Sequence, residues 1–288
     1  MAKTIPDNRD ARYVTHTLTD LLIQRITQIA CGYEDANDCN DLRSDPIFKM
    51  LADRYPEIGD ALASQPTMCR FENRISAPTL YRLAPVFADV FIASYSSPPP
   101  VIIIDFDDTE DKVYGKQQLS LFNNYYGDYC FMPLHVYEGL SGRLITTVLK
   151  PGKRSDGVQM LSIVKRIIAY LRKAWSETLI IFRGDSHFTY PEVMEYIESA
   201  DNVMYVTGLT GNSRLMKEAE ALSERAAALY RKTGKKAVLF HSFYYQASSW
   251  NCPRRVVVKA EFSEQGKNIR FIVTNTENAK ASVLYQQI

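Results

Sequence analysis

The chain has 288 residues, of which 46% are hydrophobic and 23% are charged. This composition excludes a disordered, collagen-like or low-complexity chain, and the length suffices for about two domains. The 34 basic and 33 acidic residues leave a net charge of +1, so the overall charge does not indicate a strong nucleic-acid binder.

Cysteine usage and hydropathy indicate where the protein resides. The five cysteines form no CxxC pair, which argues against a disulfide framework and against a cysteine zinc site. No apolar run approaches the roughly 20 residues of a membrane-spanning helix, and the polar N-terminal segment MAKTIPDNRD lacks the apolar stretch of a signal peptide. These features predict a cytoplasmic protein with no membrane partner.

Residues 1–96 are predicted to form a helical N-terminal domain that binds DNA or mediates dimerisation. Leucine and isoleucine recur at helical spacing between Leu18 and Ile29, and Gly32 is placed to end that helix. Asp45, followed by a proline, is a typical start of a short helix. The apolar side of this short helix is predicted to consist of Ile47, Met50 and Leu51.

Two further helices are predicted on either side of a tight turn near Ser76. Arg70, Arg74 and Arg82 would be exposed on them and available to DNA. The pair fits either a helix-turn-helix that reads DNA or two ordinary packing helices, and the sequence leaves both open.

A run of three prolines at 98–100 separates this region from a strand-rich one, because proline fits neither a helix interior nor a central strand. Residues 97–209 then follow the order β-β-β-α-β-α-β, which is typical of a ribonuclease H-like fold. Strands are predicted at 101–107, 129–139, 143–150, 178–186 and 202–209, and helices at 158–175 and 191–199. We therefore predict an α/β protein with a mixed sheet and flanking helices.

Residues 210–288 are predicted to contain a long helix that ends at Gly234, followed by a β-rich insertion. Its strands are predicted to be antiparallel and to cover 236–245, 254–262 and 269–275.

The segment IIIDFDDTED places carboxylates at the end of a buried strand. Asp105 and Asp107 are two residues apart, so both point to the same face of the strand. Buried charges are costly unless they are paired or bind a metal, and oxygen ligands of this kind suit Mg²⁺. The alternative is a solvated acidic turn after a strand that ends early.

A second acidic residue follows another central strand, in the segment IIFRGDSHF. In a ribonuclease H-like sheet this strand lies beside the first one, so Asp107 and Asp185 are expected to converge. Carboxylates that bridge paired metal ions support phosphoryl transfer, as in nucleases and strand-transfer enzymes. The alternative is that Asp185 only caps the following turn.

Other candidate groups are weaker. The four histidines lack the spacing of a zinc site, and His187 is expected to be structural. Lys116, Lys153 and Arg154 lie in short basic segments that either contact a DNA backbone or are simply solvated.

Several long segments, in this order, resemble a known family. They are GYEDANDCNDLRSDP, LASQPTMCRFENR, IIIDFDDTEDKVYGKQ, YYGDYCFMPLHVYEGLSGRLITTVLKPGK and IIFRGDSHF. The chain resembles bacterial insertion-sequence transposases of the DDE superfamily, in the branch called transposase DDE domain group 1. The resemblance extends from about residue 15 to the end.

The resemblance implies a ribonuclease H-like catalytic domain with an Asp-Asp-Glu triad and Mg²⁺. The first Asp falls in DFDDT and is assigned to Asp107, with Asp105 as the alternative and as a further metal ligand. The second falls on Asp185. Arg70, Arg74, Lys153 and Arg154 are the predicted DNA contacts, and the implied partners are insertion-sequence ends, target DNA and a second copy of the chain.

The Glu of the triad is expected in a C-terminal helix that this sequence does not reach. The glutamates that lie late in the chain have a different context; they are Glu261, Glu264 and Glu277. The resemblance therefore implies a truncated chain in which strand transfer is abolished or severely weakened. Two alternatives stay open: an inactive remnant that retains DNA binding or dimerisation, and an unrelated Mg²⁺ nuclease of similar fold.

Overall fold

The structure is a computed structural model that describes residues 1–115 and 117–286. The chain divides into two compact units, Met1–Val86 and Phe87–Ile288. The assignment of functions to residues 1–96, 97–209 and 210–288 stays a prediction.

The first unit is helical. Short 3₁₀ turns at Ala2–Thr4 and Ala11–Tyr13 precede the α-helices, which are α1 (Leu18–Ala30), α2 (Asp38–Leu42), α3 (Pro46–Leu51), α4 (Gln65–Asn73) and α5 (Ala77–Ala93), the last continuing into the second unit. Helix α1 begins with a capping box, in which the Thr17 hydroxyl accepts a hydrogen bond from the Asp20 amide and the Asp20 carboxylate accepts one from the Thr17 amide.

The start of α3 is as predicted, because Asp45 caps it by accepting hydrogen bonds from two backbone amides. The predicted apolar side is wrong: Ile47, Met50 and Leu51 are exposed. Within α3 the buried side chains are Phe48 and Lys49. Phe48 and the C-cap residue Ala52 lie four positions apart, on one side of the helix, and contact a small core around Leu62.

Helices α4 and α5 are bent by 93° at the three-residue break between them. This angle fits the helix-turn-helix geometry, and the DNA-reading role stays a prediction. Within 1–115 and 117–286, no single helix is both long and apolar enough to cross a membrane; α4 and α5 satisfy the length and composition criteria only as a bent pair.

The second unit is built on a large mixed sheet. Its strands are β1 (Val101–Asp108), β5 (Leu134–Glu138), β6 (Leu144–Val148), β7 (Leu179–Gly184), β8 (Val203–Leu209), β9 (Ala237–Tyr245), β10 (Arg254–Ser263) and β11 (Gly266–Thr274). The order is β6-β5-β1-β7-β8-β11-β10-β9. Strand β1 pairs antiparallel with β5 and parallel with β7, and β7 pairs parallel with β8.

The five neighbouring strands β6-β5-β1-β7-β8 thus confirm the predicted ribonuclease H-like arrangement. The three C-terminal strands are antiparallel, as predicted, and extend the same sheet because β11 pairs with β8. The sequence did not indicate which strand they would join.

One predicted strand is divided in two. The segment predicted as a single strand at 129–139 forms β4 (Asp128–Phe131) and β5, with Pro133 between them. Proline has no N–H to donate to a strand ladder, so the chain leaves one sheet and enters another there. With β2 (Asp111–Lys112) and β3 (Leu121–Asn123), β4 forms a small three-stranded sheet that the sequence did not predict.

Helices cover one face of the large sheet. They are α6 (Gly157–Ala174), α7 (Pro191–Glu198) and α8 (Ser213–Thr233), and their apolar stripes contact alternate residues of the central strands. We name this the helical face. On the opposite face, the open face, the short α9 (Ala281–Gln286) contributes Leu284 to a smaller cluster with Val206, Val257 and Ile272.

Candidate active site

The pairing of β1 with β7 brings the predicted aspartates together. Asp105 pairs with Arg183, which is the last pair in the ladder. Extending this register by two residues places Asp107 opposite Asp185, which directly follows β7. Neighbouring strands lie about 4.8 Å apart, so Asp107, near the end of β1, and Asp185, just after β7, lie at the carboxyl ends of neighbouring strands.

Both aspartates point away from the helical face. Phe106 and Phe182 alternate with them and stack in the core with their ring centroids 5.3 Å apart. Since side chains alternate along a strand, Asp107 and Asp185 lie on the open face, and both are exposed. This alternation confirms that Asp105 and Asp107 share one face.

Asp185 also caps a 3₁₀ turn, Ser186–Phe188. Its Oδ1 accepts a hydrogen bond from the His187 amide at 2.7 Å, and its Oδ2 lies 3.4 Å from His187 Nδ1. The Asp185 side chain is still 62% exposed. Asp185 therefore does cap the following turn, as the alternative predicted, and its carboxylate is still accessible to a ligand.

The acidic residues of β1 have different surroundings. Both oxygens of Asp105 accept hydrogen bonds from Arg183, and Asp108 forms a largely buried ion pair with Lys150, with Oδ1 2.6 Å from Nζ. Asp107 has no hydrogen-bond or ion-pair partner within the part of the chain that the structure describes. Of the three, Asp107 is the one with both oxygens available.

Sequence reasoning missed a histidine beside this carboxylate. His135 in β5 pairs directly with Asp107 in the antiparallel register, and its Nδ1 lies 3.0 Å from Thr147 Oγ1. Spacing along the chain does not indicate this residue, because the neighbour of Asp107 is set by strand pairing.

The predicted DNA contacts lie in both units. In the second unit, Lys153 is exposed, and Arg154 hydrogen-bonds to the His187 carbonyl and to the Tyr190 hydroxyl, the latter at 2.9 Å. These bonds hold the basic turn against the loop that begins with Asp185. Lys116 lies outside the described residues.

In the first unit, Arg70 is exposed near the end of α4. Arg74 is half-buried, lies over the Phe71 ring and forms an ion pair with Asp7 at 3.4 Å. Arg74 therefore already serves a structural contact, and its role in DNA binding stays a prediction.

The donor set suits a hard cation only in part. Asp107 and Asp185 supply carboxylate oxygens, and Mg²⁺ binds through one or two carboxylates while it keeps several waters. No group of three or more histidine, cysteine, aspartate or glutamate side chains is arranged to hold a metal within residues 1–115 and 117–286. Glu261 is occupied elsewhere by ion pairs with Lys236 and Lys259.

The strand order and the two carboxylates define a ribonuclease H-like domain with acidic residues at the carboxyl ends of two central strands. The sequence profile of the family described as Transposase DDE domain group 1 matches residues 1–288. The chain belongs to this family. No curated protein matches it.

Solved structures similar to this chain include two transposases and a nuclease. The piggyBac transposase in a synaptic complex with hairpin DNA is 12% identical, with a TM-score of 0.48 over 99% of this chain and 60% of that one. The Drosophila P element transposase in a strand transfer complex is 13% identical, with a TM-score of 0.31 over 70% of this chain and 53% of that one. The NurA nuclease from Sulfolobus solfataricus is 10% identical, with a TM-score of 0.32 over 77% of this chain and 83% of that one.

The chain thus spans less than two thirds of the piggyBac transposase chain with which it aligns. Membership of the family follows from the full-length sequence match and not from these distant structural likenesses.

Proposed function

We propose that this chain is a DNA transposase of the DDE type that carries out Mg²⁺-dependent phosphodiester hydrolysis and strand transfer. The observation that supports this proposal is the position of Asp107 and Asp185, both exposed, at the carboxyl ends of the paired strands β1 and β7. The match to the transposase family over residues 1–288 supports the reaction class.

In this proposal the two aspartates hold the metal. A bound Mg²⁺ supplies activation of a water or hydroxyl nucleophile and stabilisation of the leaving oxygen. The chain's own part is to hold two carboxylates at fixed positions on paired strands. Asp185 is fixed further by its hydrogen bond from the His187 amide.

A second candidate function is an inactive transposase remnant that retains DNA binding or dimerisation. It is favoured by the lack of a third metal-ligating side chain near the pair in the described residues. With two carboxylates alone, a second metal ion would lack a ligand, and strand transfer would be weak or lost.

The proposed partners are insertion-sequence ends and target DNA, bound in the cytoplasm by a homodimer. Arg70 and Arg74 are proposed contacts from the first unit, and Lys153 and Arg154 from the second. Arg154 supports this role best, because its turn contacts the Asp185 loop. Basic side chains of this kind bind phosphates in a sequence-independent, salt-dependent way.

Calorimetric titration of the full chain with Mn²⁺ tests the metal site. The wild-type chain is expected to bind Mn²⁺, and Asp107→Asn and Asp185→Asn are each expected to abolish binding. Asp128→Asn is the matched control, since Asp128 is a partly exposed carboxylate of the small sheet that pairs with Lys112.

Loss of binding in the control alone, or no binding by the wild-type chain, would contradict the metal site. Binding of Mn²⁺ without nicking of supercoiled plasmid would favour the inactive remnant over the enzyme.

A further inference from the structure

The ion pair directly below the carboxylate pair joins the two strands that carry it. Asp105 in β1 and Arg183 in β7 are partners in the parallel ladder and point to the open face. Each lies two residues before a proposed metal ligand, Asp107 or Asp185. A link between Asp105 and Arg183 therefore acts at the point where the relative position of the two ligands is set.

Both oxygens of Asp105 are occupied by this link. Arg183 Nε donates to Oδ1 at 2.5 Å, and Nη2 donates to Oδ2. A bidentate arginine–carboxylate pair fixes orientation as well as distance.

The ion pair also contacts the turn at Gly139. A Cβ at Gly139 would lie 2.7 Å from Arg183 Nη2 and 2.7 Å from Asp105 Oδ2, so a larger residue there would force the ion pair to shift. The backbone of Gly139 is itself fixed to β1, because its amide donates a hydrogen bond to the Ile103 carbonyl at 2.8 Å.

The adjacent Glu138 fixes this turn. Its buried carboxylate accepts hydrogen bonds from the Ile103 amide at 3.2 Å and the Ser141 amide at 2.7 Å. Burial alone would raise the pKa of Glu138, but these hydrogen bonds outweigh it and the pKa is lowered. The turn therefore packs against the ion pair, whose side chains remain 25% and 28% exposed.

We propose that Asp105 and Arg183 are positioning residues that hold Asp107 and Asp185 at metal-binding separation, and that Asp105 is not itself a metal ligand. This inference rests on the proposed function of the two aspartates. It differs from the sequence-based expectation, in which Asp105 binds the metal.

The two roles of Asp105 predict opposite effects of removing Arg183. If Arg183 positions the site, Arg183→Gln weakens Mn²⁺ binding, since loss of a partner that orients metal ligands costs about 10- to 100-fold in affinity. If Asp105 is a ligand that Arg183 occupies, the same substitution frees it and strengthens binding.

The first experiment is a double-mutant cycle with Mn²⁺ affinity as the readout. Asp105→Asn, Arg183→Gln and the double variant are expected to lose similar affinity, because residues that act as a unit are not additive. Arg183→Lys keeps the charge and is expected to recover part of the loss. Lys236→Gln, which removes an ion pair with Glu261 in β10, is the control. Unchanged or tighter binding by Arg183→Gln overturns the proposal.

The second experiment measures position without a metal. Asp107→Cys/Asp185→Cys is oxidised, and the linked peptide is quantified by mass spectrometry, since a disulfide needs Cα atoms about 4.4–6.8 Å apart. Adding Arg183→Gln is expected to slow this cross-link, with native folding checked by circular dichroism. An unchanged rate in a folded variant overturns the proposal.

The two experiments separate the proposals. A wild-type chain that binds no Mn²⁺ but cross-links more slowly with Arg183→Gln refutes the metal site and supports the positioning role. If the chain binds Mn²⁺ through Asp107 and Asp185 but the cysteine pair cross-links equally fast with and without Arg183→Gln, the metal site is supported and the positioning role is refuted.

Discussion

The two faces of strands β1 and β7 differ in what they contribute: one carries the buried core and the other carries the candidate site. On the helical face, Ile104, Phe106 and Phe182 are buried in the main core. On the open face, the intervening residues of the same strands are Asp105, Asp107 and Arg183, and Asp185 lies just beyond β7. The period-two alternation of a strand thus lets a stable core lie one residue away from a charged, solvent-accessible site.

The comparison predicts that the open-face residue Asp107 affects activity but not stability. Asp107→Asn is expected to reduce Mg²⁺-dependent nicking of supercoiled plasmid to background. Its free energy of unfolding should change by no more than about 0.5 kcal/mol, because the side chain is exposed and has no partner among the described residues. Nicking assays and urea denaturation measure the two quantities, and a strongly destabilised variant would break the division.

The reverse is expected on the helical face. Phe182→Ala removes a ring that is 2% exposed and stacks on Phe106, so unfolding should become easier by about 3–5 kcal/mol. Phe122→Ala in the small sheet is the control, because its ring is 51% exposed and should contribute far less. Urea denaturation of both variants checks the difference, and equal losses would refute it.

An acidic residue on the helical side sharpens the comparison. Asp108 and Lys150 form an ion pair whose side chains are only 9% and 11% exposed. Lys150→Met leaves the buried carboxylate unpaired and is expected to cost about 1–3 kcal/mol. Adding Asp108→Asn should restore most of this loss, and thermal denaturation of the single and double variants would show whether it does.

The smallest expected effect concerns pH. Hydrogen-bonded ion pairs with Lys236 and Lys259 lower the pKa of Glu261 from 4.5 to about 2. A carboxylate with a lowered pKa contributes stability above its unfolded-state value, and that contribution is lost as the pH falls from about 4.5 towards 2. Glu261→Gln should therefore lose less melting temperature between pH 5 and pH 2 than the wild-type chain, and an equal loss would show that Glu261 contributes nothing.

Much of the fold could be predicted because long elements have clear periods. The order of strands and helices along the chain, the helix ended by Gly234 and the common face of Asp105 and Asp107 follow from alternation and capping. The small sheet could not be predicted, since strands of two to four residues carry too short a pattern.

The candidate site was predictable only as far as chain order allows. Asp107 and Asp185 are predictable as candidates because each lies at the end of an apolar run. The partners of β1 residues depend on strand register, which the sequence does not specify, so neither the Asp105–Arg183 pair nor the position of His135 beside Asp107 could be derived.

The separation of β1 and β7 along the chain has a consequence for how the site assembles. Asp105 and Arg183 are 78 residues apart, whereas β10 and β11 are joined by a tight hairpin. Strands that are distant in sequence lose loop-closure entropy before their pairing stabilises the chain, so local hairpins form faster. We expect the C-terminal hairpin to gain protection from hydrogen exchange early in refolding, and the aspartate pair to exist only after the slowest pairing has closed.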